Sequence, residues 1–129
     1  MKGRPMVTRI LVDMSLTILH HGHIRLLKQA SELGYVIVAL CTDEEIFKVK
    51  GFKPLLSFEN RKEIALAIRY VEEVIECDYL IDEAYLDKFD IDFLVHGDDN
   101  LNPVPAERLI VLARTQGISS SDLRNVEQR

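Results

Sequence analysis

His20-His21-Gly22-His23 sets two imidazoles three residues apart with a glycine between them, in a chain of 129 residues that holds four histidines. An apolar run, Ile10-Leu11-Val12, precedes the segment by a short turn-like stretch, and an amphipathic stretch follows it to Leu33. The four residues therefore fall at a strand-to-helix junction. The first backbone N–H groups of a helix have no partner inside it, so such a junction suits an anion, phosphate above all. At a helix start His20 and His23 share one face, and Gly22 lets a large anion approach the backbone. Both imidazoles can then donate to a nucleotide's phosphates and to the charge that builds up during attack at phosphorus. A pair of solvated or core-satisfied histidines accounts for the same residues equally well. Zinc would need a third ligand; His96 is the one candidate, and no Cys accompanies it at ligand spacing.

A second polar cluster lies far along the chain: Arg114-Thr115-Gln116-Gly117-Ile118-Ser119-Ser120-Ser121. It ends a strand-like run and starts a helix-like one, with Gly117 allowing a tight turn. Serines at a helix start are commonly N-caps. Arg114 and Thr115 ahead of them add donors whose geometry suits phosphate oxygens, so the cluster favours a polyphosphate site. Lys48, Lys50 and Lys53 flank Gly51, and they read either as triphosphate contacts or as a solvated charge run. Asp43, Asp98 and Asp99 are turn-formers or N-caps unless a ligand lies beside them.

Strand-like runs alternate with helical periodicity from end to end. Thr8 to Val12 reads as a first strand. Gly22 to Leu33 reads as a helix with Ile24, Leu26, Leu27 and Ala30 inward, ended by Gly34 as a C′ glycine. Tyr35 to Leu40 is a continuous apolar, β-branched run, the mark of a strand buried on both faces. Asp43 to Val49 suggests a short helix, and Lys50 to Pro54 a polar, mobile-looking loop. Ser57 is an N-cap for a helix over Phe58 to Tyr70, with Ile64, Ala65, Ile68 and Val71 at helical spacing. Glu73 to Cys77, Asp92 to His96 and Leu109 to Ala113 supply three more strands. Asp82 to Phe89 and Ser119 to Val126 supply short helices.

Strands separated by helices imply parallel pairing with right-handed crossovers, hence an α/β three-layer sandwich around a five-stranded parallel, Rossmann-like sheet. Ligands bind beyond the carboxyl ends of such strands, near the reversal of strand order. The polar groups fall at those ends: Ser15 to His23, Thr42 and Asp43, Gly97 to Asp99, and Arg114 to Ser121. One composite site is expected.

The length fits a single domain, 1–129, with a real core. A net charge of −5 argues against a general nucleic-acid binder. Cys41 and Cys77 sit far apart near the ends of apolar runs, as two small buried residues of a reducing compartment would, and not as a disulfide framework or a metal site. No run approaches the roughly 18 residues of a membrane span, and the short apolar stretch after the N-terminus is broken by Asp13. A cytoplasmic protein is expected.

Taken together, the two clusters resemble the nucleotidyltransferase family that carries a His-x-Gly-His motif, and within it the cytidylyltransferases of the glycerol-3-phosphate type. Those show a strand, a Gly-Thr-Phe-Asp-type segment, His-x-Gly-His, and much later Arg-Thr-x-Gly-Ile-Ser-(Ser/Thr). Here Ile18 to Ile24 and Arg114 to Ser121 correspond. Glu59-Asn60-Arg61-Lys62 through Ile68-Arg69-Tyr70-Val71 looks like the family's helix with its functional arginine, matched to Arg69. His96-Gly97-Asp98-Asp99 looks like its Gly-Asp-Asp turn. The likeness runs in order from about Arg9 to Leu123. It departs at Asp13-Met14-Ser15-Leu16-Thr17, where Thr17 stands for the usual aspartate and Met14 for a glycine. The Met-Ser pair is similar to the cytidylyltransferase-like domains attached to phosphoenolpyruvate mutases.

The resemblance implies a nucleotidyltransferase fold and transfer of CMP from CTP to a phosphorylated or phosphonate acceptor, with release of pyrophosphate. It implies that His20 and His23 serve the reacting phosphates, and that Lys48 or Lys50 closes over the triphosphate. Arg114, Thr115, Gly117, Ile118, Ser119 and Ser120 would hold its tail. Met14, Ser15, Gly22, Gly97, Asp98 and Asp99 would border the nucleotide, Thr17 the acceptor, and Arg69 the acceptor or the reacting phosphates. Mg²⁺ bridging phosphate oxygens and a homodimer are further expectations. An adenylyltransferase using ATP and a non-catalytic nucleotide-binding module are the alternatives, the latter suggested by Thr17.

Overall fold

The structure, a computed structural model, describes residues 7–113. The segment Arg114 to Ser121 and the expected helix Ser119 to Val126 lie outside the described residues. Within them the order is β1 (Arg9–Met14), α1 (His21–Ser31), β2 (Tyr35–Cys41), α2 (Asp43–Lys50), α3 (Phe58–Leu66), β3 (Glu73–Cys77), α4 (Glu83–Lys88), β4 (Phe93–His96), a 3₁₀ turn (Ala106–Arg108) and β5 (Leu109–Val111).

The five strands pair in parallel in the order β3-β2-β1-β4-β5. Their alternation explains the two-sided core. Ile10, Val12, Val36, Val38, Leu40 and Val95 face Leu27 and Ala30 of α1 and Ala65 of α3. Leu11, Ile37, Ala39, Cys77 and Leu94 point the other way, onto Ile81, Leu86 and Ile91 in and around α4. Burial on both faces is why the central strands read as unbroken apolar runs. The chain leaves β1 toward β2 and β3 on one side and returns to β4 on the other. The strand order therefore reverses between β1 and β4, and the α/β sandwich has its ligand position there.

Three expectations are corrected. Gly34 is not a C′ glycine: α1 ends at Ser31 with Glu32 as C-cap, and Gly51 is the glycine with positive φ. Gly34 is needed for close approach. The next residue's amide donates to Thr8 O at 2.8 Å, and a Cβ on Gly34 would stand 2.3 Å from that oxygen. The second correction concerns α3, which stops at Leu66 and does not run to Tyr70. Ala67, Ile68 and Val71 close a series of i→i+3 turns on Ile64, Ala65 and Ile68. These turns bring Val71 into the core and deliver Glu72 N–H to Val36 O at 2.9 Å, the first bond toward β3. Gly51, φ 78°, caps α2 by donating to Phe47 O, so Lys50 belongs to the helix.

Candidate active site at the strand-order reversal

A cavity of about 520 Å³ opens over the carboxyl ends of the strands. It is lined on one side by Met14, Ser15, Thr17, His20, Gly22 and His23, and on the other by Asp13, His96, Gly97, Asp99 and Asn102.

His20 is the N-cap of α1 and His23 its third residue. Gly22 N–H donates to His20 Nδ1 at 3.1 Å, and His20 N–H donates to His23 Nδ1 at 3.1 Å. An imidazole nitrogen that accepts carries no proton, so each neutral ring holds its hydrogen on Nε2. The rings pack with centroids 4.0 Å apart. Burial, then the neighbouring His20, holds His23 down to about 4; burial and His21 lower His20. Two neutral, pre-aimed N–H donors result.

The loop before them is held from below by Arg61, whose side chain is fully buried. Its guanidinium donates to Ser15 O at 2.6 Å, Cys41 O at 2.9 Å and Leu56 O at 3.1 Å, and pairs with Asp43 Oδ1 at 2.5 Å. Leu16, next to Ser15, is buried with φ 53°. That left-handed backbone costs a non-glycine residue roughly 1–2 kcal/mol. Arg61 and the burial of Leu16 hold it in place. Sequence reasoning passed over Arg61 in favour of Arg69. A fully enclosed arginine has no signature in a Glu-Asn-Arg-Lys helix start, which reads as solvated.

The far side is acidic. Asp13 is the penultimate residue of β1, on the side of the sheet where β4 pairs with it. Its Oδ2 accepts from Asn102 Nδ2 at 3.2 Å, while Oδ1 is buried without a hydrogen-bond partner. His96 Nε2 stands 3.6 Å from Oδ1, too far to count as a bond. Burial pushes the Asp13 carboxyl up, against the pull of His96 and Asn102. Asn102 is itself enclosed, with Oδ1 accepting from Ile81 N–H at 2.7 Å. Asp99 Oδ1 lies 3.5 Å from His96 Nδ1. Asp13 enters the sequence reading only as the break in an apolar run and the start of the divergent segment, and Asn102 not at all; neither is marked there as a site residue.

Lys50 lines the cavity, with Nζ 5.9 Å from the Tyr79 ring centroid. Lys48 is exposed beside Glu45 at 3.9 Å. Arg69 is exposed past the end of α3 and is not a lining residue, nor is Asp98. Arg114, Thr115, Gly117, Ile118, Ser119 and Ser120 lie outside the described residues. Among the described residues no three of His, Cys, Asp and Glu are grouped to hold a metal ion, so the zinc alternative gains no support.

The cytidylyltransferase-like family model matches residues 17–126. The chain belongs to that family. It is 38% identical to glycerol-3-phosphate cytidylyltransferase of Staphylococcus aureus over 122 residues, covering 90% of this chain and 92% of that protein. It is 37% identical to mouse ethanolamine-phosphate cytidylyltransferase over 133 residues, covering 94% of this chain and 33% of that one. The chain spans about a third of the length of the ethanolamine-phosphate relatives it matches. A solved structure of a lipopolysaccharide core biosynthesis protein from Thermoplasma volcanium shares the fold, with TM-score 0.71 at 18% identity over 85% of this chain and 99% of that one. This cytidylyltransferase-like chain thus has its His pair, its strained loop and its acidic wall around one opening.

Proposed function

We propose that the protein transfers CMP from CTP to a small acceptor bearing an anionic phosphate or phosphonate at one end and an ammonium group at the other. The observation that carries this is the two-sided cavity. Neutral Nε2–H donors of His20 and His23 stand on one side, and the buried, half-partnered carboxylate of Asp13 on the other.

The reaction is an in-line displacement at the α-phosphorus. An oxygen of the acceptor forms the new P–O bond, and the bond to pyrophosphate breaks. The nucleophile is already anionic at neutral pH, so no strong base is required. His20 and His23 donate to phosphate oxygens as charge shifts toward the leaving group. Being neutral and held by backbone, they need no reorganisation. Lys50 supplies positive charge from the end of α2. Arg61 acts through the loop, keeping Ser15 and Thr17 at the cavity. Arg114, Thr115, Gly117, Ile118, Ser119 and Ser120 remain the proposed holders of the triphosphate tail, and Gly97 and Asp99 border the nucleotide. Mg²⁺ enters as part of the Mg–CTP substrate, held by phosphate oxygens and water as is usual for this ion. Thr17 in the aspartate's place fits an ion that takes no ligand from that segment.

Asp13 carries the choice of acceptor. A carboxylate in a low-dielectric wall with one oxygen lacking a hydrogen bond is costly until a donor meets it. An ammonium group donating to Oδ1 meets that need, and the names of the ethanolamine-phosphate relatives fit such an acceptor. The test compares initial rates with phosphoethanolamine, 2-aminoethylphosphonate and glycerol 3-phosphate. We expect the amino-bearing acceptors to lead, and Asp13→Asn to raise their KM by roughly tenfold or more while CTP affinity stays within about twofold. Preference for glycerol 3-phosphate, unaltered by Asp13→Asn, contradicts the acceptor assignment. A homodimer is part of the same proposal, checked by sedimentation. Calorimetric titration with CTP and ATP decides the base.

A further inference from the structure

Cys41 and Cys77 end two adjacent strands and are partners in register, Cys41 on β2 facing Cys77 on β3. Side chains at matched positions of parallel strands project from the same face. Here that face is the one carrying Asp13 and α4. Both residues are free cysteines, exposed by only 4% and 6%, and both line the cavity. Neither thiol has a place in the transfer reaction.

We propose that Cys41 and Cys77 form a closable dithiol in the cavity wall, a modification site for small disulfides. Neighbouring strands hold their Cα atoms roughly 5 Å apart, inside the about 4.4–6.8 Å that a disulfide spans. One thiol, as thiolate, attacks a sulfur of the incoming disulfide and expels one thiolate. The second cysteine then attacks the mixed disulfide and expels the other. The new Cys41–Cys77 bond replaces the reagent's S–S bond, two electrons pass to the reagent, and each cysteine's proton ends on a leaving thiolate.

The surroundings set the character of the site. Burial pushes Cys41 up to about 11 and Cys77 higher still, so the reduced pair is stable and closes slowly. Closure ties the two ends of the segment that carries α2 and α3. With it goes Arg61, which donates to the carbonyl of Cys41 itself. Cys77 is followed by Asp78 and Tyr79, two other cavity-lining residues. A bond here reshapes the wall next to Asp13, and its effect on transfer rests on the function proposed above.

The probe is bis(2-hydroxyethyl) disulfide, small enough for the cavity, applied to the whole chain and reversed with dithiothreitol. We expect a protein lighter by two hydrogens and a non-reduced peptide joining Cys41 to Cys77. The Tm should rise by roughly 5 °C or more, and cytidylyl transfer should fall by roughly tenfold and recover on reduction. Cys41→Ser and Cys77→Ser, each compared with its own reduced sample, should show none of these changes. A lasting mixed adduct on one cysteine, or no joined peptide after prolonged exposure, overturns the proposal. So does a joined peptide with unchanged Tm and unchanged transfer. The peptide and the Tm need no substrate, so they decide the dithiol even if the transfer reaction itself is assigned wrongly.

Discussion

His20 and His23 fix each other: the backbone of one donates to the ring of the other at 3.1 Å, while the first ring caps the helix through Gly22 N–H. The same bonds that start α1 therefore set the tautomer of both imidazoles, and a helix cap doubles as a pair of aimed donors. His23→Ala should lower turnover by about 10²-fold, the scale of losing one pre-aimed donor, with a much smaller change in CTP affinity. His23→Asn keeps an acceptor for the His20 amide and should match the alanine variant in turnover while retaining more stability. Steady-state kinetics and urea unfolding separate the two effects.

The low value for His23 makes a stability prediction with a definite sign. Its folded pKa, about 4, lies below the unfolded value near 6.5. Between those values the unfolded chain binds a proton that the native chain does not, so stability falls as pH drops from about 6.5 to about 4. The loss from this group is about 2 kcal/mol, after discounting for its partial exposure. Asp13, raised by burial, acts oppositely: its native carboxyl keeps a proton above the unfolded value, so its contribution falls as pH rises from there. Unfolding of the wild type and of His23→Asn at a series of pH values isolates the histidine. The wild type should lose more stability on acidification than the variant.

Arg61 has four acceptors and no solvent. Arg61→Met removes the charge but orphans three carbonyls, while half-exposed Asp43 keeps solvent and Phe58 N–H. About 3–5 kcal/mol of stability should go with the lost carbonyl partners. Arg61→Lys should rescue little, since an ammonium cannot reproduce the planar fork. Denaturant midpoints check both.

Asn102 donates to Asp13 Oδ2 at 3.2 Å, leaving Oδ1 as the oxygen without a hydrogen-bond partner. Asn102→Ala should raise the KM for an amino-bearing acceptor by several-fold and leave CTP affinity intact. With glycerol 3-phosphate as acceptor the same variant should change little. A uniform loss with every acceptor points to a purely structural role.

The alternation of β-branched runs with helical periodicity made the parallel sheet legible, and Glu73–Cys77 appears with the ends expected of it. Ser57 caps α3 as its position implied, accepting from Asn60 N–H at 3.3 Å. What stayed hidden depends on approach between distant segments. Gly34 looked like a helix terminator because its neighbour in space, Thr8, is far away in sequence. Arg61 is not singled out within its helix because its acceptors come from three other segments. Asp13 reads only as the break in an apolar run, because its significance is a missing hydrogen-bond partner on Oδ1, which no residue pattern records. The histidine pair is legible in the sequence, but the hydrogen bonds that set its tautomers belong to backbone geometry.

The most direct test of cytidylyl transfer is ³¹P NMR of the purified protein with Mg–CTP and phosphoethanolamine. We expect the pyrophosphate signal and a CDP-linked diester to rise together, mole for mole, and both to be strongly suppressed in His23→Ala. CTP bound tightly with neither signal appearing, for phosphoethanolamine, 2-aminoethylphosphonate and glycerol 3-phosphate alike, would contradict it.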